Sequence, residues 1–479
     1  MTVVGMEDRA AQLSGMLGPW RRGRGRLHLR LADAITRLIE LGALPGGSTL
    51  PSERSLAAVL DISRTTVTAA YDELRGRGWI TTRRGALPRV GLSRPDLNGP
   101  LLEERVEDVF RQQSHDVIDL ETSSPLAAPA VEEMFRRPLG GGAATADLTG
   151  GGGYAVDGLP ALRDAIVRRL RADGIPAQPA EIVITNGAQQ AISLIASALV
   201  SPRRPSAIEE LSYPGAISVL LRQSRAGLVA LPADDSGLRV EEAVDVIRSV
   251  KPRIAYVSTY HNPTGAALSA EGASALIEAA LEAGTTLVED RTLADLRLSG
   301  GTAPALASLA PPGSVVTIGS MSKLYWAGMR VGWIHGRAAL VQHLREQRAA
   351  HDLGGSPPMQ AIAAALLVRH HEDTVAWRRR QIRISLESAR TAIEESGLPW
   401  VFREPRGGLS LWVRTPAHAD LLARLGRHVG VAVLPGTSCS VTTTRARHAI
   451  RISLAADPDR IADGIRRIAR LREAHNPAT

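Results

Sequence analysis

Apolar residues near the start of the chain are spaced for helices. Between residues 31 and 39 they recur every three or four positions, which predicts a helix with one buried face: Leu31, Ala34, Ile35, Leu38 and Ile39. Ser52 is a candidate N-cap of a second helix, and Ser63 of a third helix that runs to about Arg77. A short hairpin over residues 79–85 follows. This order of elements predicts an α+β winged helix-turn-helix.

The third predicted helix has two chemically different faces. Its inward face is apolar and consists of Val67, Ala70, Tyr71 and Leu74. Its outward face carries Arg64, Thr65 and Thr68, which are cationic or short hydrogen-bonding side chains. Such residues suit a helix that enters the major groove of DNA, where arginine and hydroxyl groups bind phosphates and the N-terminal end contacts base edges.

Beyond residue 118, apolar runs of strand length alternate with alanine-rich helical patterns. The runs cover residues 182–185, 206–211, 254–258, 285–289 and 315–318. This alternation predicts an α/β domain with a mainly parallel sheet, whose ligand site lies at the carboxyl ends of the strands. We therefore expect a DNA-binding domain over residues 24–91, a linker over 92–117 and a large domain over 118–475. The linker contains turn formers and one short charged helical pattern.

The net charge of +8 is concentrated at the start of the chain. Residues 1–95 hold 15 arginines and 8 acidic residues, whereas the remaining 384 residues have a net charge of +1. A basic segment joined to a nearly neutral body favours contact with a polyanion such as nucleic acid. An arginine-rich segment that serves only solubility has the same composition.

The cysteine content and the hydropathy of the sequence indicate the cellular compartment of the protein. The single cysteine, Cys439, excludes a disulfide framework within the chain and a cysteine-cluster metal site, so we expect no metal and a reducing environment. The first residues lack the apolar core of a signal peptide, and no uncharged apolar stretch reaches about 18 residues. We expect a cytoplasmic protein without membrane contact.

Only two of the 57 basic residues are lysines, Lys251 and Lys323. Lys323 ends the run Ser-Met-Ser-Lys at residues 320–323, and Arg330 follows seven positions later. A chain that uses arginine almost everywhere still needs a primary amine to hold an aldehyde as a Schiff base, because a guanidinium stays protonated and is not nucleophilic. Ser320, Ser322 and Arg330 offer the donors of a phosphate cup. Lys251 has the context of an ordinary surface lysine.

Further positions fit an anion or a pyridine ring. Gly187 follows a predicted strand and opens a helix, so the free backbone amides of Ala188 and Gln189 can bind a phosphate. Asp290 ends a strand, where its carboxylate can keep a pyridine nitrogen protonated, and Asn262 can donate to a ring phenolate oxygen. Each of these residues is also a common turn former in isolation. Together they predict a site for a phosphorylated pyridine cofactor.

Residues 44–80 resemble the GntR-type winged helix over their whole length: LPGGSTLPSERSLAAVLDISRTTVTAAYDELRGRGWI. The DNA contacts that the resemblance implies are Arg54, Arg64, Thr65 and Thr66 from the helices, and Arg84 and Gly85 from the wing. The arginines of the helices would contact phosphate or base, the threonines the DNA backbone, and the wing the minor groove. The wing has Gly-Ala-Leu-Pro at residues 85–88, where the family usually has Gly-Ser-Gly-Thr.

Residues 118–475 resemble fold type I pyridoxal-phosphate aminotransferases. The positions that carry the likeness are Tyr154, Gly187, Tyr213, Asn262, Asp290, Lys323, Arg330 and Arg451. The resemblance implies pyridoxal phosphate bound at Lys323, Tyr213 stacked on its ring, and Arg451 holding the carboxylate of a ligand. Tyr154 would reach the cofactor phosphate of the neighbouring subunit. Thr292 stands where the aminotransferase-like regulators usually have a tyrosine.

A GntR-type winged helix joined to such a domain resembles the MocR group of transcriptional regulators. The hypothesis it implies is a cytoplasmic, nucleoid-associated bacterial homodimer that binds a double-stranded DNA operator. It would sense a small amine, an amino acid or pyridoxal phosphate itself through an aldimine at Lys323. Recruitment of a ligand carboxylate to Arg451 would favour one arrangement of the two domains. The alternative is a working aminotransferase with an accessory DNA-binding domain, since Lys323, Asp290 and Arg451 also serve transamination.

Overall fold

The computed structural model describes residues 10, 13–14, 16–17, 20, 26–40, 44, 48–76, 79–82, 87–90, 117–136, 152–442 and 446–475. The chain divides into two compact units, residues 1–105 and 106–479. Each unit has its own hydrophobic core.

The first unit contains three helices and a two-stranded sheet. The helices are α1 (Leu27–Glu40), α2 (Glu53–Leu60) and α3 (Arg64–Gly76), and the strands are β1 (Ile80–Thr81) and β2 (Arg89–Val90). Both predicted N-caps are present, because Ser52 accepts a hydrogen bond from the amide of Ser55 at 3.1 Å and Ser63 accepts one from the amide of Thr66 at 3.1 Å. The strands pair antiparallel, so the hairpin extends to Val90, past its predicted end at residue 85.

The predicted inward faces form the core of this unit. Its fully buried side chains include Leu31, Ile35, Leu56, Val67, Ala70, Tyr71 and Leu74. Ile39 is only half-buried, unlike the rest of its predicted face. The Tyr71 hydroxyl donates to the carbonyl of Pro51 at 3.0 Å, which satisfies a buried polar group and ties α3 to the turn before α2.

The second unit consists of helices packed around two main sheets. Its strands are β3 (Ile118–Leu120), β4 (Ile182–Thr185), β5 (Ser206–Glu209), β6 (Leu228–Leu231), β7 (Ala233–Asp234), β8 (Gly237–Leu238), β9 (Ile254–Ser258), β10 (Thr286–Asp290), β11 (Val315–Ser320), β12 (Gly332–His335), β13 (Val401–Phe402), β14 (Ser410–Arg414), β15 (Val431–Pro435) and β16 (Ala449–Ser453). Its helices are α4 (Pro129–Arg136), α5 (Pro160–Ala172), α6 (Ala188–Leu199), α7 (Pro214–Gln223), α8 (Val240–Val250), α9 (Ala270–Ala283), α10 (Leu306–Leu309), α11 (Ala338–His351), α12 (Pro357–Arg369), α13 (His371–Glu395), α14 (Ala419–His428) and α15 (Pro458–His475).

The larger sheet has seven strands in the order β4-β12-β11-β10-β9-β5-β6. All neighbours are parallel except β12, which is antiparallel to both β11 and β4. Both faces are covered by apolar side chains, because Ile182 and Ile184 belong to one core cluster and Val183 to another. The predicted mainly parallel sheet is therefore confirmed, and the predicted strands differ at their ends by at most two residues. The strands β6 and β12 were not predicted.

A second, five-stranded sheet was also not predicted from the sequence. Its order is β13-β14-β16-β15-β3, with β15 and β3 parallel and the other neighbours antiparallel. It joins residues 118–120 to strands that begin after residue 400. Strand β16 carries Arg451, so this sheet supplies one wall of the site described below.

No helix among the described residues is long and apolar enough to cross a membrane. In the same part of the chain, no group of three or more histidine, cysteine, aspartate or glutamate side chains is placed to hold a metal ion.

Candidate functional site

A cavity of about 530 Å³ lies at the carboxyl ends of the strands of the larger sheet. Ten of the residues predicted for a cofactor or its ligand line it: Ala188, Gln189, Tyr213, Asn262, Asp290, Ser320, Ser322, Lys323, Arg330 and Arg451. Asp290 and Ser320 end β10 and β11, and the others follow strand ends or, for Arg451, lie in β16. The fold therefore brings together side chains that are distant in sequence.

Lys323 lies in the loop after β11, with its amine inside the cavity. Its Nζ donates to the carbonyl of Ser123 at 2.7 Å. Burial lowers the pKa of Lys323 to about 8, with Arg451 and Arg330 acting in the same direction and Asp290 opposing them. At pH 7 about a tenth of such an amine is neutral, against fewer than about one in a thousand for an ordinary lysine. Lys323 is therefore a competent nucleophile towards an aldehyde.

Asp290 is buried, with 8% of its surface exposed, and both of its carboxylate oxygens are bound. The Tyr256 hydroxyl donates to Oδ2, and the amide of Thr292 donates to Oδ1 at 2.8 Å. These contacts fix the carboxylate at the cavity wall. Tyr256 was not predicted as a site residue. The only signal in the sequence is a tyrosine within the apolar run of β9, two positions before Ser258, on the face that adjoins Asp290.

The turn before α6 forms an anion cradle. Gly187 has a φ angle of +83°, which glycine adopts without strain, and the turn places the first amides of α6 at the cavity. Arg330 lies against this turn, since a Cβ on Gly187 would be 3.2 Å from Arg330 Nη2. Nearby, Ser320 Oγ donates to Ser322 Oγ at 3.0 Å. The same cavity therefore offers backbone amides, two hydroxyls and a guanidinium to an anion.

A network of polar side chains holds this turn from behind. The Asp352 carboxylate accepts hydrogen bonds from Asn186 Nδ2 at 2.9 Å and Gln190 Nε2 at 2.5 Å. It also forms an ion pair with the fully buried Arg348 at 3.0 Å. Gln190 Oε1 accepts from the Asn186 amide at 2.7 Å, and the Asn186 carbonyl accepts from Arg330 Nη2 at 2.5 Å. None of these contacts was predicted. The two to Asp352, which follows α11, join residues more than 160 positions apart in sequence.

Arg451 reaches the cavity from the second sheet and is almost fully buried, with 4% exposed. Its Nη2 donates to the carbonyl of Glu121 at 2.7 Å, and its Nη1 lies 3.4 Å from Asn262 Oδ1. Its Nε is buried and has no hydrogen-bond partner among the described residues. The guanidinium is therefore held in place yet keeps unsatisfied donor capacity, as a site for a carboxylate requires.

Tyr213 lines the cavity at the start of α7. Burial raises the pKa of Tyr213 to about 12, with Asp290 raising it and Arg451 and Arg330 lowering it, so its hydroxyl stays protonated at neutral pH. Beside it, Gln189 Nε2 donates to the carbonyl of Gly215 at 3.3 Å.

Tyr154 and Gly187 are the two predicted cofactor-site residues absent from the cavity lining, and of these Gly187 forms the turn before α6. The side chain of Tyr154 is 76% exposed, and it is not part of the cavity lining in its own chain. The prediction that it reaches the site of a neighbouring subunit is a statement about another chain and stays a prediction. Thr292 does line the cavity, at the position where a tyrosine is usual in the family that the sequence resembles.

Two of the three arginines predicted to contact DNA are exposed on the first unit. Arg54 lies in the first turn of α2 and Arg64 begins α3. Arg64 Nε lies 3.7 Å from Glu53 Oε2, but 70% of the Arg64 side chain stays exposed. An exposed pair at this distance contributes little to stability and leaves the guanidinium free to bind a phosphate.

The hydroxyl groups of α3 are partly engaged within the protein. Thr65 is exposed and Thr66 half-buried, and their hydroxyls lie 2.8 and 2.7 Å from the N-cap oxygen of Ser63. Thr68 was predicted to face outward, but it is half-buried because its hydroxyl donates to Glu53 Oε2 at 2.9 Å. The predicted wing contacts Arg84 and Gly85 lie outside the described residues.

Pyridoxal phosphate, the cofactor that the resemblance implies, fits the donor set of the cavity. Its aldehyde requires a primary amine, its phosphate an anion cradle, and its pyridine nitrogen a buried carboxylate. Lys323, the turn at Gly187 and Asp290 supply these groups in one cavity. Gln189 lines the cavity, and its Oε1 is buried without a hydrogen-bond partner among the described residues.

Comparison with known proteins identifies both units. Residues 27–87 match the bacterial regulatory proteins of the gntR family, and residues 129–468 match aminotransferase class I and II. The HTH-type transcriptional regulator TauR of Rhodobacter capsulatus is 31% identical over 94% of this chain and 97% of its own length. The probable rhizopine catabolism regulatory protein MocR of Rhizobium meliloti is 27% identical over 64% of this chain and 65% of its own.

Among solved structures, the multiple substrate aminotransferase of Thermococcus profundus is 25% identical and has a TM-score of 0.68. The match covers 80% of this chain and 97% of that one. The chain therefore belongs to the MocR-type transcriptional regulators, in which a GntR-type winged helix precedes a fold type I aminotransferase domain that uses pyridoxal phosphate.

Proposed function

We propose that this regulator binds operator DNA through a domain at residues 24–91 and senses a small amine or amino acid at Lys323, in a domain at residues 118–475. One observation carries the proposal. The amine of Lys323, the carboxylate of Asp290 and the guanidinium of Arg451 line one cavity, in a chain whose first unit has the exposed Arg64 at the start of α3.

The residues of the cavity have distinct tasks in this proposal. When bound, the cofactor supplies an electrophilic aldehyde carbon and an electron-withdrawing ring. Lys323 holds the aldehyde carbon, Asp290 keeps the proton on the ring nitrogen, and Asn262 donates to the ring oxygen. Tyr213 covers the ring. The phosphate is bound by Ser320, Ser322, Arg330 and the amides at Gly187, Ala188 and Gln189.

Arg451 favours a ligand that carries both an amine and a carboxylate. It is buried and retains an unpaired Nε among the described residues, so an amino acid can compensate a donor that a simple amine leaves unsatisfied. Pyridoxal phosphate itself is the other candidate signal. In that case the regulator would report cofactor supply and would respond without any amino acid.

DNA binding is assigned to α2, α3 and the wing. Arg54 and Arg64 would bind phosphates or bases, Thr65 and Thr66 the DNA backbone, and Arg84 with Gly85 the minor groove. The net charge of +7 on residues 1–95 supports this assignment. We propose that the protein acts in the bacterial cytoplasm, at the nucleoid when bound to DNA.

We propose a homodimer, which the position of Tyr154 supports. Tyr154 is 76% exposed and lies outside the cavity of its own chain, as a residue that serves a partner's phosphate site must be. Two winged helices would then read two half-sites of an operator. Analytical ultracentrifugation at micromolar concentration should give the mass of two chains, about twice the 51.0 kDa of one.

The two lysines of the chain allow a matched test of the anchor. Lys323→Arg should abolish the absorbance band beyond about 400 nm that pyridoxal phosphate gives when bonded to a lysine, because a guanidinium cannot attack the aldehyde. Lys251→Arg should keep the band, because Lys251 lies at the end of α8 and does not line the cavity. A band that survives in Lys323→Arg would show that the anchor is another group.

An aminotransferase with an accessory DNA-binding domain is the second candidate function. It is favoured by the presence of Lys323, Asp290 and Arg451 in one cavity, since these groups suffice for transamination. Measurement of both turnover and DNA binding on the same protein distinguishes the two functions. Sustained turnover with amino and keto acids, at about 1 per second or more, without binding to any DNA selected from a random pool would overturn the regulator proposal.

A further inference from the structure

One segment of the second unit is held by three cations of the cavity. Arg460 Nη2 donates to the carbonyl of Val117 at 2.8 Å, Arg451 Nη2 to that of Glu121 at 2.7 Å, and Lys323 Nζ to that of Ser123 at 2.7 Å. We call residues 117–124 the strap. All three cations and five strap residues line the cavity: Val117, Asp119, Thr122, Ser123 and Ser124.

The strap is also anchored by β3, whose residues 118–120 pair with β15, and by one side chain. Glu121 has a side chain that is only 4% exposed, and its Oε2 accepts from Arg427 Nη2 at 2.7 Å. Arg427 belongs to α14 and is absent from the cavity lining. The ion pair fixes the residue whose carbonyl holds Arg451. Glu121 is therefore placed to position that guanidinium without touching a ligand.

The chemistry of the site must change two of the three contacts. When Lys323 Nζ forms a double bond to an aldehyde carbon, the aldehyde oxygen leaves as water with two of the three ammonium hydrogens. At most one hydrogen then remains on Nζ in place of three, so the hold of Lys323 on the carbonyl of Ser123 weakens. A carboxylate on Arg451 is a stronger acceptor than a neutral carbonyl, so it competes with Glu121 for Nη2.

The strap also begins where the predicted linker, residues 92–117, ends. Arg330, by contrast, holds the carbonyl of Asn186 in a turn that continues directly into α6, so a change there stays within the core of the second unit. Of these carbonyl contacts, the ones on the strap lie nearest in sequence to the DNA-binding unit.

We propose that the strap communicates the occupancy of the cavity to the linker, and that Glu121 is the residue that positions it. The inference rests on the proposed function, because it concerns the regulation of the same site. Cofactor attachment weakens the hold of Lys323 on the strap at Ser123, and a ligand carboxylate weakens the hold of Arg451 at Glu121. The two events therefore act on one element, which adjoins the predicted linker in sequence.

Hydrogen exchange of the full-length protein tests the release. Pyridoxal phosphate would form a covalent bond with Lys323. The reduced adduct of pyridoxal phosphate with L-alanine leaves Lys323 unbonded and presents a carboxylate to Arg451. We expect each probe to speed exchange of the strap amides about threefold or more, with β9 unchanged as an internal reference. Absorbance shows that each probe is bound. Unchanged or slower exchange in the strap with either probe bound would overturn the inference.

A variant of Glu121 tests the positioning role. Glu121→Gln removes the charge of the pair with Arg427 and keeps the shape, so the carbonyl of Glu121 should compete less well with a ligand carboxylate for Arg451 Nη2. We expect about tenfold tighter binding of the alanine adduct and less than about twofold change for pyridoxamine phosphate, which has no carboxylate. The control Glu282→Gln breaks an exposed ion pair with Arg248, neither of which lines the cavity, and should change neither affinity. Equal changes for both probes, or none, contradict the role of Glu121.

DNA binding separates failure of this inference from failure of the proposed function. The probe is a DNA fragment selected by the wild-type protein from a random pool. If the alanine adduct leaves the DNA affinity of the wild type unchanged, ligand sensing itself fails. If the wild type responds and Glu121→Gln responds to the same extent at saturating adduct, the strap is not the route and only this inference fails. A response at least about fivefold smaller in Glu121→Gln supports it.

Discussion

At the scale of single residues, the identity of a site residue can be predicted from the sequence, whereas its reactivity depends on the folded structure. Lys323 could be predicted as the anchor because the chain has only two lysines and the other has no functional context. Its reactivity could not, since the lowered pKa of Lys323 depends first on burial and then on Arg451, which is 128 positions away in sequence. A pattern in the sequence reports which group is present, whereas its electrostatic surroundings exist only in the fold.

The pKa of Lys323 sets the pH dependence of cofactor attachment. The neutral amine is the nucleophile, so the attachment rate should rise with pH and level off above about 8. Arg451→Gln removes a charge that lowers the pKa of Lys323, so the midpoint should move to higher pH. Arg460→Gln, at another arginine of the cavity lining, should leave the midpoint in place. Stopped-flow absorbance from pH 6 to 10 measures both, and a wild-type midpoint near that of free lysine would contradict the argument.

Tyr256 is the residue whose importance only the structure reveals. Tyr256→Phe removes the donor to Asp290 Oδ2 with little change in volume, so the carboxylate loses one hydrogen bond that orients it. We expect pyridoxal phosphate to bind about two- to tenfold more weakly in a fluorescence titration. Tyr71→Phe, which removes a buried hydroxyl in the first unit, is the matched control and should leave cofactor affinity intact. Equal losses in both variants would mean that the effect is not local to the site.

At the scale of elements, local patterns were sufficient for the helices of the first unit and for five strands of the larger sheet. The second sheet escaped prediction because its strands come from both ends of the unit, and β3 is only three residues long. Strand β12 escaped because its four residues, Gly-Trp-Ile-His, have no period to recognise. The support of the phosphate turn by Asp352 is likewise non-local. What the sequence could not provide is the pairing of distant segments.

The hydrogen bonds of Gln190 behind the turn at Gly187 should affect the binding of a phosphate in particular. Gln190→Met removes two hydrogen bonds, one to Asp352 and one from the Asn186 amide, while it keeps a flexible side chain of similar size. Binding of pyridoxal phosphate should weaken about five- to fiftyfold, and binding of pyridoxal, which has no phosphate, should change little. Gln342→Met, on the exposed face of α11, should affect neither ligand. Equal losses for pyridoxal and its phosphate would mean that the network stabilises the fold in general.

At the scale of the whole molecule, charge and chemistry are assigned to different units. The first 95 residues carry +7 of the net charge of +8, whereas the cavity lies in the second unit. Both could be predicted from the sequence because each depends on a contiguous or strongly ordered motif. Because the basic residues belong to the first unit and the cavity lining to the second, loss of a cation from the first unit should weaken DNA binding and leave the lining of the cofactor site unchanged.

Salt dependence of DNA affinity tests this separation in the full-length protein. Each phosphate contact releases counterions, so the logarithm of the association constant should fall linearly with the logarithm of salt concentration. Arg64→Gln removes one exposed cation at the start of α3, and the slope should decrease in magnitude by about 1 while the affinity for pyridoxal phosphate stays unchanged. Arg248→Gln, an exposed arginine of the second unit, should leave the slope as it is. If Arg248→Gln reduced the slope as much as Arg64→Gln, the second unit would also contact DNA, and the charge asymmetry of the sequence would not identify the binding surface.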